Sequence, residues 1–179
     1  EWLKRPEYQL YLPDLRARHA PQNDALLYLL TGDDDALRRV LDGYTFTDGK
    51  GEKRTIPGIK QWAPPTGKVD SPSYTGIEAT ARAAVYDWLH DHPDFKDHRA
   101  NAIRYLEWWG DYYKKYLSPG VVPFYSRNAG ALAGLTAVGL ALSGDSEKAP
   151  AYIVHAQNYL VENMGTIRQA EDGATGGGT

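Results

Sequence analysis

Residues 124–145 read FYSRNAGALAGLTAVGLALSGD, and the rest of the chain is organised around this stretch. Between 129 and 142 only Thr136 is polar, and the run is longer than a usual strand. The pattern therefore predicts a buried helix that ends at 143–145. A glycine inside a helix costs roughly 1 kcal/mol relative to alanine, so the small residues predict close packing against neighbouring helices. The polar residues 126–128 would place unpaired helix N–H groups where they can face an anion.

Composition limits the function classes. With 179 residues the chain is expected to form one domain over 1–179, and its net charge of -3 argues against a nucleic-acid partner. The chain has no cysteine, which excludes thiol chemistry, and 129–142 is too short to span a bilayer. No signal peptide is visible. The 13 Tyr and 5 Trp fit either sugar stacking or helix–helix seams, and both readings stay open.

Apolar spacing predicts paired helices along the chain. Residues 22–30 form the first clear one, with Asn23 as N-cap, and the Thr-Gly-Asp turn at 31–33 leads into a second helix. The Ser-Gly-Asp turn at 143–145 repeats this pattern of a helix, a short turn and a second helix. Further helices are predicted at 76–90, 98–116 and 147–164, with a loosening of the chain from residue 165 and no strand pair. The fold class is therefore predicted as all-α, built from antiparallel helical hairpins, with a long irregular loop over residues 44–75.

The side chains suggest two kinds of site, a carboxylate acid of a glycoside hydrolase and an anion-binding helix start. Asp87 is expected to point off the apolar face of its helix together with Tyr86, and it could act as the acid of a glycoside hydrolase if Asp70 or Asp172 faced it across a sugar. The alternative for Asp87 is a structural ion pair.

Metal-ligand spacing is absent from the sequence, so no metal and no cofactor are predicted. An anion site at the helix start would use Arg127 as a permanent cation and Asn128 as an amide donor. The alternative for these two is ordinary helix capping.

Aromatic residues near the predicted loop and helix start are the expected sugar contacts. Trp62 and Tyr74 lie in or at the end of the loop, and Tyr125 precedes the small-residue helix. Residue type alone selects them as substrate-binding, because a flat aromatic ring can stack on a sugar. For Trp62 the equally weighted alternative is that the ring only pins the loop to the body.

Four segments, in this order, resemble a known family. YLLTGDDDALRRVL at 28–41, ARAAVYDWL at 81–89, the Asn-led helix at 126–145 and EDGATGGGT at 171–179 together resemble the N-terminal helical domain of the heparinase II/III-like polysaccharide lyases. The resemblance implies part of an (α/α) toroid in a periplasmic or secreted protein. It also implies an acidic polysaccharide partner, cleaved at a uronate by β-elimination, with Asn128 as the catalytic donor that neutralises the sugar carboxylate. No nucleic acid or membrane is implied, and the oligomeric state is left open.

The chain departs from that family at identifiable positions. Ala129 stands where relatives often have a histidine, and the catalytic tyrosine of relatives tends to follow a segment matching Asp172 and Gly173 by a few residues. Because the chain starts at Glu1 without a methionine and ends in a glycine run, we expect a processed or truncated piece that lacks part of the catalytic set. A non-catalytic helical scaffold or sugar-binding module is therefore the alternative, followed by a glycoside hydrolase of similar helical architecture.

Overall fold

The structure, a computed structural model, describes residues 10–18, 20–67, 69, 71–117 and 126–169, without the side chains of 73, 126, 127 and 164–169. This part of the chain is mostly helical, with one small two-stranded sheet. The helices are α1 Leu12–Ala17, α2 Pro21–Thr31, α3 Asp34–Asp42, α4 Pro72–Leu89, α5 Pro93–Lys96, α6 Arg99–Tyr116, α7 Ser126–Ala141 and α8 Ala149–Gln169. The strands are β1 Gly43–Thr47 and β2 Lys53–Pro57, followed by a 3-10 turn, Ile59–Gln61. The all-α prediction is thus confirmed at the level of helical content.

The chain divides into two compact units, which are described separately. One unit comprises Glu1–Ala63 and Trp88–Ala102, and the other comprises Pro64–Asp87 and Ile103–Thr179. The first therefore holds α1 to α3 and the sheet, while the second holds most of α4 and α6 together with α7 and α8.

The turn between α2 and α3 follows the predicted turn chemistry. Gly32 adopts φ 69, and its N–H donates to the carbonyl of Tyr28 at 2.7 Å, which closes α2. The Asp33 carboxylate then accepts from the N–H of Ala36 at 3.0 Å and caps α3. The predicted N-cap at Asn23 is wrong, because α2 begins earlier, at Pro21, whose fixed φ and missing N–H suit a first helical position.

A β-hairpin occupies the start of the segment predicted to be irregular. Strands β1 and β2 pair antiparallel, with Thr45 opposite Thr55. Asp48 organises the turn, since its Oδ1 accepts from the N–H groups of Lys50 at 2.9 Å and Glu52 at 3.0 Å. The expectation that 44–75 lacks regular structure and that the chain has no strand pair is therefore corrected. The Asp-Gly pair at 48–49 between β-forming residues is the hairpin signal.

An ion pair with a buried carboxylate connects α2 to α3. The Asp24 side chain is only 3% exposed, and its Oδ1 accepts from Arg39 Nε at 2.9 Å and Nη2 at 2.6 Å. Burial and the nearby Asp24 carboxylate raise the pKa of Tyr44 on β1, so that phenol is neutral beside the pair. The same unit contains an apolar cluster formed by the buried side chains Leu12, Leu27 and Ala36.

Glycines bring α7 against its neighbours in the second unit. A Cβ placed on Gly76 of α4 would collide with the carbonyl of Gly130 in α7. A Cβ on Gly134 would lie 2.8 Å from the Tyr113 ring, and one on Gly139 would lie 2.8 Å from the Ile153 side chain. These contacts confirm that the small-residue helix is closely packed, and they explain why the cost of helical glycines is tolerated.

The buried face of α4 differs from the predicted one. Tyr86 is fully buried and donates its hydroxyl proton to the Asp145 carboxylate in the turn after α7. Ile77 and Trp88 on the same helix are 63% and 40% exposed, although both are apolar. Tyr86 faces the core with its hydroxyl group satisfied by Asp145, so the expectation that it points outward is wrong. Asp87, by contrast, is exposed as predicted.

A polar network joins α6 to the start of α8. Lys148 Nζ lies 2.8 Å from an Asp111 oxygen, and the hydroxyl of Tyr152 donates to the other Asp111 oxygen at 2.8 Å. Ser146 Oγ donates to Glu107 at 2.5 Å. Burial disfavours the ionised Asp111 carboxylate, but the bonds from Lys148 and Tyr152 outweigh it and lower the pKa of Asp111.

The last helix is longer than predicted. Helix α8 continues to Gln169, so the expected loosening from residue 165 is corrected. Pro150 lies in its first turn, where a missing N–H costs no helical hydrogen bond.

Candidate functional site

Asn128 occupies the first turn of α7 and is 2% exposed. Its amide lies beside the hydroxyl of Tyr159, which comes from the middle of α8. Asn163, one turn further along α8, is also buried and donates its amide N–H to the Tyr159 carbonyl at 2.7 Å. We refer to Asn128, Tyr159 and Asn163 as the amide–phenol cluster.

The Tyr159 hydroxyl is the group in this cluster with unused hydrogen-bonding capacity. Within the described part of the chain no hydrogen bond of full geometry reaches it, although the amides of Asn128 and Asn163 are close enough to lower its pKa. Burial has the larger effect, and Tyr116 adds to it, so the pKa of Tyr159 is raised. A phenol with a raised pKa stays protonated at neutral pH and can donate a proton rather than remove one.

An amide and a protonated phenol side by side are both neutral hydrogen-bond donors. Donors of this kind stabilise negative charge that develops on a carboxylate or an oxygen, and they do so most strongly where water is excluded. A buried polar hydroxyl without a full partner is also uncommon in folded proteins and calls for an explanation. The cluster therefore fits recognition of an anionic group. Because Asn128 is buried, a ligand reaches its amide only when neighbouring side chains move.

The other predicted substrate contacts have different environments, and each is described within its own unit. Trp62 belongs to the first unit, is 3% exposed, and its carbonyl accepts from Asn101 Nδ2 at 2.5 Å, which fits its alternative role of pinning the loop. Tyr74 belongs to the second unit and is 78% exposed. Tyr125 and the Arg127 side chain lie outside the described residues. The carboxylates proposed to face Asp87, Asp70 and Asp172, also lie outside them.

Tyr159 is the functional candidate that sequence reasoning missed. Its side chain is buried. Its neighbour Asn128 is distant in sequence, so no local motif could have paired them.

A second missed feature is a row of aromatic rings on α6. Trp108, Tyr112 and Tyr116 follow one another at intervals of four residues and are half-buried. We call them the aromatic row. The signal was present in the sequence, since side chains four apart lie on the same face of a helix.

Among the described residues, no group of three or more His, Asp or Glu side chains is arranged to hold a metal ion. None of the helices in that part of the chain combines the length and the apolar character needed to cross a bilayer.

No family model, no curated protein and no solved structure matches this chain.

Proposed function

We propose that this chain is part of a polysaccharide lyase that acts on a uronate-containing glycan. Support comes from the order of its sequence segments, which resembles that of the heparinase II/III-like lyases, and from its helical hairpins. We further propose that the hairpins belong to an (α/α) toroid and that the protein works in the periplasm or outside the cell. The observation that carries the proposal is that the buried Asn128 amide lies near the buried Tyr159 hydroxyl, which has no hydrogen bond of full geometry within the described part of the chain.

The chemistry assigns a different task to each group. In β-elimination a base removes the proton next to the sugar carboxylate, the bond from C4 to the leaving oxygen breaks, and a carbon–carbon double bond forms. The acidity of that proton depends on neutralising the carboxylate, for which Asn128 is the proposed donor. Tyr159 retains its proton, so we assign it donation to the leaving oxygen rather than the role of base. Arg127 is the proposed cation for the same carboxylate.

The product distinguishes this reaction from the alternatives. Alginate, heparan sulfate and chondroitin sulfate are incubated with the protein, and ultraviolet absorbance and reducing ends are followed together. A lyase produces both signals, because each cut creates a conjugated double bond. A glycoside hydrolase produces reducing ends alone, and that result would exclude β-elimination.

Variants test the assignment of residues. Asn128→Ala should lower turnover by about a hundredfold or more, the usual loss for a donor that acts in the transition state. Tyr159→Phe should lower it as well, while keeping the ring. Asn158→Ala is the matched control, because that amide is exposed on α8 next to Tyr159. Circular dichroism confirms folding of each variant. Turnover near that of wild type in folded Asn128→Ala would remove this residue from the mechanism.

The burial of Asn128 favours a second candidate, a glycan-binding module without catalysis. In that case the amide stabilises the fold and the sugar is held elsewhere on the second unit. Retarded migration in gels containing an acidic glycan, with neither new absorbance nor new reducing ends, would support this candidate over the lyase.

A further inference from the structure

The outer edge of strand β1 carries backbone groups that the hairpin leaves unpaired. Next to the turn, the N–H of Asp48 donates to the carbonyl of Glu52 at 2.9 Å, and along an antiparallel ladder hydrogen-bonded pairs alternate with non-hydrogen-bonded pairs. Thr45 and Thr47 therefore belong to non-hydrogen-bonded pairs, and their N–H and C=O groups point away from β2. In the described part of the chain, no other backbone hydrogen bond reaches these two threonines, and both are exposed.

The side chains of the hairpin agree with this alternation. Cross-strand neighbours in a non-hydrogen-bonded pair lie close together, and the hydroxyl oxygens of Thr45 and Thr55 are 3.0 Å apart. Because side chains alternate across a strand, Tyr44 and Phe46 lie on the opposite face, where both are half-buried with ring centroids 6.2 Å apart. The packed face of β1 therefore holds the strand in place while its edge points outward.

Composition distinguishes the two edges of the hairpin. Edge strands commonly carry charges or proline, which hinder pairing with another chain. Strand β2 carries Lys53 and Arg54 and ends at Pro57, which has no N–H to donate. Strand β1 reads GYTFT, has no charge and no proline, and consists mainly of residue types that favour strands. The edge of β1 is therefore the one suited to pair with a further strand.

A second copy of β1 complements this edge. When two β1 strands run antiparallel about a two-fold axis at Phe46, Thr45 of one copy lies opposite Thr47 of the other copy. Each of these two Thr pairs exchanges two backbone hydrogen bonds, which gives four in all. The two Phe46 rings lie opposite one another, and cross-strand aromatic pairs stabilise a sheet. The same arrangement of two β2 strands would place Arg54 opposite Arg54, which opposes like charges.

We propose that the chain forms a two-fold symmetric dimer in which two copies of β1 join the hairpins into one four-stranded sheet. The charged β2 strands lie at both outer edges of this sheet, so assembly stops at two copies. The interface is small, which makes the dimer weak and dependent on concentration. The geometry of the hairpin alone carries the dimer, so its failure and the failure of the proposed function are separate outcomes.

Sedimentation velocity over a concentration series tests the dimer. The wild-type protein should pass from monomer to dimer as its concentration rises from the micromolar toward the millimolar range, without larger species. Thr45→Pro removes an outward N–H but no backbone hydrogen bond within the hairpin. By symmetry it removes two of the four bonds between the copies, so the dissociation constant should rise at least about tenfold.

Thr55→Pro is the matched control. Thr55 lies directly opposite Thr45, and its N–H points outward on the β2 edge. Both variants lose the same hydroxyl contact between the two threonines. Thr55→Pro should leave the dissociation constant of the dimer unchanged.

Charge variants test the register without proline. One variant combines Thr45→Lys with Thr47→Lys, and the other combines Thr45→Glu with Thr47→Glu. Each places like charges opposite one another and should stay monomeric across the series, whereas an equimolar mixture of the two should form the dimer. Both positions are exposed, and circular dichroism establishes that each variant is folded.

A wild-type protein that remains monomeric throughout the series would overturn the dimer. An equal effect of folded Thr45→Pro and Thr55→Pro would exclude β1 as the interface. Failure of the mixed charge variants to associate would contradict the pairing of Thr45 with Thr47. Species larger than a dimer would show that the β2 edge also pairs, and would refute a closed two-fold assembly.

Discussion

Replacing Gly76 by alanine tests the close approach of α4 and α7. Alanine has the better helix propensity by up to about 1 kcal/mol, so a surface site would gain stability. At Gly76, however, the added Cβ collides with the backbone carbonyl of Gly130, which cannot rotate away as a side chain could. Overpacking of this kind costs typically about 1–3 kcal/mol, and backbone contacts belong at the upper end. We expect a net loss of about 1–2 kcal/mol.

Urea unfolding and thermal unfolding, both followed by far-ultraviolet circular dichroism, measure this loss of stability. At about 2–4 °C per kcal/mol for a chain of this size, the thermal midpoint should fall by about 2–8 °C. The slope m should stay constant, because the surface exposed on unfolding is unchanged. Gly67→Ala is the control, since a Cβ there meets no atom within 4 Å. If Gly76→Ala proved as stable as wild type or more so, helix propensity would outweigh the clash and the packing argument would fail.

Two further predictions concern Asp33 and Asp111. Asp33→Ala removes the cap of α3 and should lower the free energy of unfolding, measured in urea, by about 1 kcal/mol. Asp33→Asn keeps a hydrogen-bond acceptor and should lower it by less. Equal losses in the two variants would contradict the capping role of Asp33. The lowered pKa of Asp111 means that its ionised form stabilises the fold above the ordinary carboxyl pKa, and that this contribution disappears as pH falls through the lowered value. The stability difference between wild type and Asp111→Asn should therefore shrink toward acid pH, and a difference independent of pH would refute this reading.

Local signals in the sequence predicted much of the secondary structure. The Gly32–Asp33 turn and the first-turn Pro150 follow from backbone geometry, which depends on few neighbouring residues. The small residues of α7 correctly indicated close helix contacts. The predicted orientation of Tyr86 was wrong because its partner, Asp145, is 59 positions away. The spacing of apolar residues does not indicate that a phenol is buried and bonded to a distant carboxylate.

The candidate site was less accessible to sequence reasoning. Asn128 was selected for its position at a helix start, but its burial and its neighbour Tyr159 depend on how α8 packs against α7. For Trp62 the prediction of a ligand contact rested on an aromatic residue in a predicted loop, but the side chain is buried. Residue type indicates what a side chain can do, whereas exposure depends on tertiary packing. Catalysis by Asn128 stays a prediction.

The ion pair between Asp24 and Arg39 has a consequence for how this sequence can change over generations. The two positions are 15 residues apart, yet loss of Arg39 alone would leave the buried Asp24 carboxylate without its cation, at a cost of about 3–5 kcal/mol. The Arg39 side chain is 31% exposed, so its charge can reach water when Asp24 is lost. Homologues that keep an acidic residue at position 24 should therefore also keep a cation at position 39, whereas the reverse need not hold.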